Sequence, residues 1–158
     1  MPLTPSPFTQ VRAVTFDLDD TLWALPPTLQ KAEQAAYQWL QQHAPELTQQ
    51  FSISDLRGLV SEVIQEQPDI RFQVTAVRKA VISKAAQLSG HPEQLSTHIA
   101  DNAFDVFITH RHDVEYFDGV AETLALLSEQ FTLGAITNGN ANVEQLSIGK
   151  YFSFSVSA

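Results

Sequence analysis

The feature that most narrows the folds open to this chain is the run V-R-A-V-T-F at residues 11–16, which passes without a break into Asp17-Leu18-Asp19-Asp20-Thr21. A short, β-branched and largely apolar run reads as a buried strand. A buried strand that ends in charge suits a parallel α/β sheet, where ligands gather beyond the carboxyl ends of the strands. The pattern recurs at residues 131–136, a second strand candidate that ends in the polar turn Thr137-Asn138-Gly139-Asn140.

Between these two places the apolar spacing changes from strand-like to helical. After the break at Pro26-Pro27, Thr28 is positioned to cap a helix reaching about His43, and further helices are expected over residues 54–67, 72–88 and 92–111. Asp118-Gly119 then opens a helix at 120–130, and a short helix at 142–148 leads into a last strand at 151–156. The expected architecture is therefore α/β: a parallel-sheet core formed by residues 11–24 and 115–158, with a helical bundle, residues 25–114, inserted between its halves. Residues 1–10 carry three prolines and no periodicity, and read as a loose leader.

Composition excludes several function classes. A formal net charge of -9 argues against nucleic acid or an anionic membrane as partner, since both need a basic face. With no cysteine, there is no disulfide, thiolate nucleophile or cysteine zinc site. No apolar run approaches the roughly twenty residues of a membrane helix, so the expectation is a soluble, cytoplasmic protein.

Carboxylates at positions i and i+2, Asp17 and Asp19, can aim a nucleophile and a proton-transfer group at one pocket while Leu18 anchors the loop between them. Clustered carboxylates repel one another. A hard cation such as Mg²⁺ offsets that repulsion and also neutralises a phosphoryl group. Thr21 adds a hydroxyl, and Thr137-Asn138-Gly139 offers a hydroxyl and approachable backbone N–H groups of the kind phosphate oxygens accept from.

Asp17-Leu18-Asp19-Asp20-Thr21 resembles the first motif, D-x-D-x-T, of the haloacid-dehalogenase-like (HAD-like) hydrolase superfamily, and Thr137 with Asn138 and Gly139 resembles its second. The helical insertion looks like that family's α-helical cap on a Rossmannoid core, and Asp118-Gly119 looks like its return from cap to core. The resemblance implies a phosphatase acting on a small phosphorylated metabolite. Asp17 would attack phosphorus to form an aspartyl-phosphate, and Asp19 would protonate the leaving oxygen and then activate water. The Asp17 carboxylate and the Asp19 backbone carbonyl would bind Mg²⁺, while Thr137, Asn138 and Thr21 would hold the phosphoryl group. Family dehalogenases lack an acid in the role of Asp19, which favours a phosphatase. The strings F-D-L-D-D-T-L and A-I-T-N-G-N look most like the bacterial branch that includes phosphatases of the riboflavin pathway.

The family's third motif, a Lys after the last strand, and its fourth, an acidic pair, have no counterpart; Lys150 precedes the last strand and is not given the third-motif role. The Rossmannoid core is thus expected to be incomplete, with residues 11–16 at an exposed edge. Such a chain is expected to be part of a longer protein, unstable, or a homodimer by strand exchange. The rival reading is a non-catalytic fragment or interaction module. Blander readings apply elsewhere. His110-Arg111-His112 reads as surface residues favoured by a helix C-terminus. Trp23 reads equally as a pocket wall or as packing beneath the cap, and Arg71, Arg78 and Lys79 as solvated helix positions.

Overall fold

The computed structural model describes residues 11–157; the leader expected over residues 1–10 lies outside them. Three strands, β1 (Ala13–Phe16), β2 (Thr132–Thr137) and β3 (Phe154–Ser157), form one parallel sheet in the order β1-β2-β3. Among the described residues seven α-helices accompany them: α1 (Leu25–His43), α2 (Pro45–Gln50), α3 (Ile53–Gly58), α4 (Val60–Glu66), α5 (Val74–Leu88), α6 (Glu93–Arg111) and α7 (Val120–Ser128). The chain forms two compact units, one of residues 11–25 with 114–157 and the other of residues 26–113.

In the sheet unit, the register sets Val14 beside Leu133 and Phe16 beside Ala135, then Ala135 beside Ser155 and Thr137 beside Ser157. Alternation along a strand therefore gives the sheet two faces of different character. Leu133, Ala135 and Thr137 are buried, and the first two join Leu18, Leu22, Trp23, Leu124 and Ile148 in the core of this unit. The opposite face is open: Ile136, Phe154 and Val156 are 49%, 43% and 53% exposed. Gly134 lies on that face with the Phe154 ring directly over it, so close that a Cβ would sit 2.2 Å from the nearest ring atom. Strand β1, expected at an exposed edge, pairs only with β2 among the described residues.

In the helical unit, α5 and α6 form a hairpin. Helix α5 ends in a Schellman turn, with His91 N–H donating to the Ala86 carbonyl (3.0 Å) and Gly90 N–H to that of Gln87 (3.0 Å). That turn requires the left-handed φ of 95° at Gly90, which glycine adopts without a Cβ penalty. Buried side chains here fall into three separate clusters, around Leu40 and Ile82, around Ala36 and Phe107, and around Val77 and Val81.

Several boundaries depart from expectation for identifiable reasons. Helix α1 starts at Leu25, so Pro26, Pro27 and the buried Thr28 all lie in its first turn. Proline is tolerated there because the first-turn N–H groups have no intrahelical partner. The single helix expected over residues 54–67 is two, α3 and α4, meeting at Leu59. Helix α3 begins with a capping box, in which Ser52 Oγ accepts from Asp55 N–H and the Asp55 carboxylate from Ser52 N–H. Helix α2 was not anticipated. The short helix expected at 142–148 is two 3₁₀ turns, Val143–Gln145 and Gly149–Tyr151. Gly149 is needed where it stands, because a Cβ would lie 2.4 Å from the Val143 carbonyl oxygen.

Candidate active site

Beyond β1 the chain turns at once into a single helical turn, with Thr21 and Leu22 N–H donating to the Leu18 carbonyl at 3.2 and 2.8 Å. Leu18 is fully buried and fixes the loop in the core, so its neighbours Asp17 and Asp19 are carried to the loop surface. Asp17 is exposed; Asp19 is half-buried. Trp23 is fully buried and its indole Nε1–H donates to Asp19 Oδ1 at 2.9 Å. The Trp23 ring in turn meets Tyr116 edge-on at 6.1 Å, and Ser147 Oγ donates to the Tyr116 hydroxyl at 3.1 Å. Trp23 thus holds a carboxylate in place from within the core of the sheet unit, a role that sequence spacing did not suggest.

Asp20 has a structural task. It adopts a left-handed φ of 57°, a conformation that aspartate tolerates better than most residues, and its Oδ1 accepts from Leu25 N–H at 2.8 Å. Its carboxylate therefore serves the first turn of α1, where an anion is favoured.

The loop after β2 is the second wall. Thr137 is buried, and its Oγ1 accepts from Gly139 N–H at 3.1 Å, so the hydroxyl keeps its own proton for donation. Asn138 is exposed, as is Thr21. The parallel pairing of Phe16 with Ala135 sets the residues that follow each, Asp17-Leu18 and Ile136-Thr137, at the same end of adjacent strands. Leu18 and Thr137 line one cavity of about 330 Å³ with Asn140, Asn142 and Ser155. Neither Asp17 nor Asn138 is among its lining residues. The alternation F-S-V-S in β3 places Ser155 and Ser157 on the face of the sheet that carries Ala135 and Thr137; that period-two spacing was the overlooked signal.

Lys150 and the His110-Arg111-His112 run have surroundings of their own. Lys150 is exposed in the second 3₁₀ turn, its Nζ 5.0 Å from the Tyr151 ring centroid. Arg111, expected at the surface, is instead buried, which corrects the surface reading of the His110-Arg111-His112 run. The adjacent His112 has its pKa lowered, first by burial and then by the Arg111 charge. Among the described residues no group of three or more His, Cys, Asp or Glu side chains is assembled for a metal. The donors at the end of β1 are oxygens, the Asp17 carboxylate and the loop carbonyls. That set fits Mg²⁺, which accepts one or two carboxylates and completes its shell with water. Among the described residues no helix is long and apolar enough to cross a membrane.

No family model matches the chain. Among curated proteins it is similar to the 5-amino-6-(5-phospho-D-ribitylamino)uracil phosphatase YigB of Escherichia coli (strain K12), with 33% identity over 148 residues, covering 94% of this chain and 62% of that protein. Among solved structures, a 2-haloacid dehalogenase from Pseudomonas syringae pv. Tomato DC3000 superposes with a TM-score of 0.85 at 38% identity, covering 93% of this chain and 64% of that one. YfnB of Bacillus subtilis, a HAD-hydrolase solved with bound magnesium, shares the fold at a TM-score of 0.54 and 16% identity, over 93% of this chain and 65% of its own. The chain thus spans less than two thirds of the length of each of these relatives. Identity of this extent along nearly the whole chain, joined to a common α/β fold, supports its assignment to the haloacid-dehalogenase-like (HAD-like) superfamily.

Proposed function

We propose that the protein is a Mg²⁺-dependent phosphomonoester hydrolase acting on a small phosphorylated metabolite through an aspartyl-phosphate on Asp17. The observation that carries this reading is the placement of Asp17-Leu18-Asp19 directly after β1, at the same end of the sheet as the Thr137 loop on the neighbouring strand. The exposed Asp17 carboxylate is open to in-line attack on phosphorus, displacing the alcohol oxygen. Asp19 supplies that oxygen with a proton and afterwards takes one from the water that hydrolyses the acyl phosphate. Trp23 keeps Asp19 oriented for both transfers. Thr137, Asn138 and Thr21 donate to the phosphoryl oxygens. Asp17 and the Asp19 carbonyl would hold Mg²⁺, whose contribution is to neutralise phosphoryl charge.

Two of the relatives described carry names of different reactions, a phosphatase and a dehalogenase. Asp19 favours the first, because a leaving alcohol needs a proton and a leaving halide does not. By similarity to YigB, the substrate proposed is the phosphate ester of a primary alcohol on a polyol chain.

The test is Mg²⁺-dependent hydrolysis of an aryl phosphate and of a ribityl phosphate by the 158-residue chain, with Asp17→Asn beside it. The expected result is phosphate release that needs the metal and falls by at least about a thousandfold, the scale of losing a nucleophile, in the variant. A folded chain that releases none, or releases it equally well with Asn at position 17, overturns the reading for this chain.

A further inference from the structure

The helical unit contains a cavity of about 420 Å³ at the junction of its three hydrophobic clusters. Leu40 and Ile82 line it from the first cluster, Ala36 and Phe107 from the second, and Val77 and Val81 from the third. The cavity is open to solvent on one side, a cleft and not a sealed interior void. A gap of this size between apolar walls lies within the range of small-molecule pockets, about 300–1,000 Å³.

Its polar side is cationic. The Glu33 carboxylate accepts from Arg57 Nε at 3.1 Å and from an Arg78 guanidinium N–H at 3.1 Å, and Arg71 stands at the same cavity. Two guanidinium groups bring about ten N–H donors against about four acceptor positions on one carboxylate. Three arginines against one glutamate leave a local excess of positive charge in a chain whose net charge is -9. Arg78 is the inner one. Its guanidinium lies 3.9 Å from the centroid of the Phe107 ring, and its pKa is lowered, chiefly by burial, with Glu33 opposing. A second anion beside Arg78 would add to the support that Glu33 gives the charged guanidinium against its burial.

We infer that the helical unit binds a small amphipathic carboxylate, with its apolar body between Leu40, Val77, Val81 and Phe107 and its anionic head on Arg78 and Arg57. At roughly 30 Å³ for each water-sized group, the cavity admits a ligand of about a dozen non-hydrogen atoms. A medium-chain fatty acid or a compact aryl carboxylate has these dimensions. This site is separate in the chain from Asp17 and Thr137 and does not depend on the phosphoryl-transfer reading.

The experiment is calorimetric titration of the 158-residue chain with octanoate, octan-1-ol and octylammonium, three ligands of one length and different head charge. Octanoate is expected to saturate with a Kd of about 1 mM or tighter, octan-1-ol about tenfold more weakly, and octylammonium more weakly still. Arg78→Met keeps a long unbranched side chain and removes the charge, so octanoate should fall to the level of octan-1-ol while octan-1-ol is little changed. Arg78→Lys should restore most of the difference. Should Arg78→Met fail to fold, Arg57→Gln at the more exposed guanidinium reads the same preference and should reduce it several-fold. Failure of a folded chain to bind octanoate saturably overturns the inference. So does octylammonium binding as tightly as octanoate, or an octanoate preference that survives the arginine substitutions.

Discussion

The indole of Trp23 joins the core of the sheet unit to the candidate acid-base group, since one ring is fully buried and its N–H meets Asp19 at 2.9 Å. Trp23→Phe keeps the apolar ring and the edge-on contact with Tyr116 but deletes the donor. A hydrogen bond to a charged group contributes about 1.5–3 kcal/mol, so if Asp19 works as proposed, turnover should fall roughly tenfold to a hundredfold. Far-UV circular dichroism should be unchanged; a loss of fold together with activity would assign Trp23 a packing role alone. Gly149 gives a second single-residue test. Its missing Cβ would lie 2.4 Å from a backbone oxygen that cannot swing aside, so Gly149→Ala should lower the unfolding free energy by about 1–3 kcal/mol in urea titration. The difference between what the sequence disclosed and what it hid follows from distance along the chain. The placement of Asp17, Asp19 and Thr137 at strand ends was legible because Asp17 directly follows one plain apolar run, Asp19 lies two residues further on, and Thr137 closes the other run. The Trp23–Asp19 bond spans four residues within a loop that has no regular period, and nothing in the spacing of D-L-D-D-T-L-W indicates that the indole turns back.

Among the elements, the strands and the long helices α1, α5 and α6 could be read from apolar period alone, because burial of one face is what each needs to form. The division of α3 from α4 could not. The apolar spacing runs through Leu56, Leu59, Val60 and Val63, and the break falls at Leu59, directly after Gly58, a poor helix former that the apolar spacing does not register. Arg111 escaped for a different reason: a basic residue in a last helical turn is usually solvated, and its burial depends on what surrounds α6 in space. That environment has a consequence for pH. His112, just beyond the end of α6, has a folded-state pKa below its ordinary value of 6.5, because burial and the Arg111 charge both disfavour the imidazolium. The unfolded chain therefore takes up a proton before the folded one does. Stability contributed by the neutral imidazole is complete above about pH 6.5 and declines as pH falls toward the depressed pKa. Thermal melts from pH 7.5 down to 5.5 should show a falling midpoint, and His112→Gln should flatten that slope; an identical slope in the variant would refute the assignment.

At the scale of the whole molecule, the sheet formed by the described residues has unlike faces. On one side Leu133 and Ala135 meet the core; on the other Ile136, Phe154 and Val156 are about half exposed, with β1 at the sheet edge. A parallel sheet ordinarily has both faces covered, and an exposed apolar face next to an open edge favours association between copies. Light scattering of the 158-residue chain should accordingly show an apparent mass that rises with concentration. Val156→Lys, which sets a charge in the middle of the patch, should suppress the rise without altering the helical signal. An apparent mass independent of concentration in the unsubstituted chain would show that the face is inert. The same asymmetry bears on how the chain meets the cell's quality control. Chaperones and proteases recognise apolar segments that stay outside the folded core, and β3 presents two such side chains at alternate positions. For such a surface, the time it stays unoccupied bears on survival among proteases as directly as the free energy of the helices does.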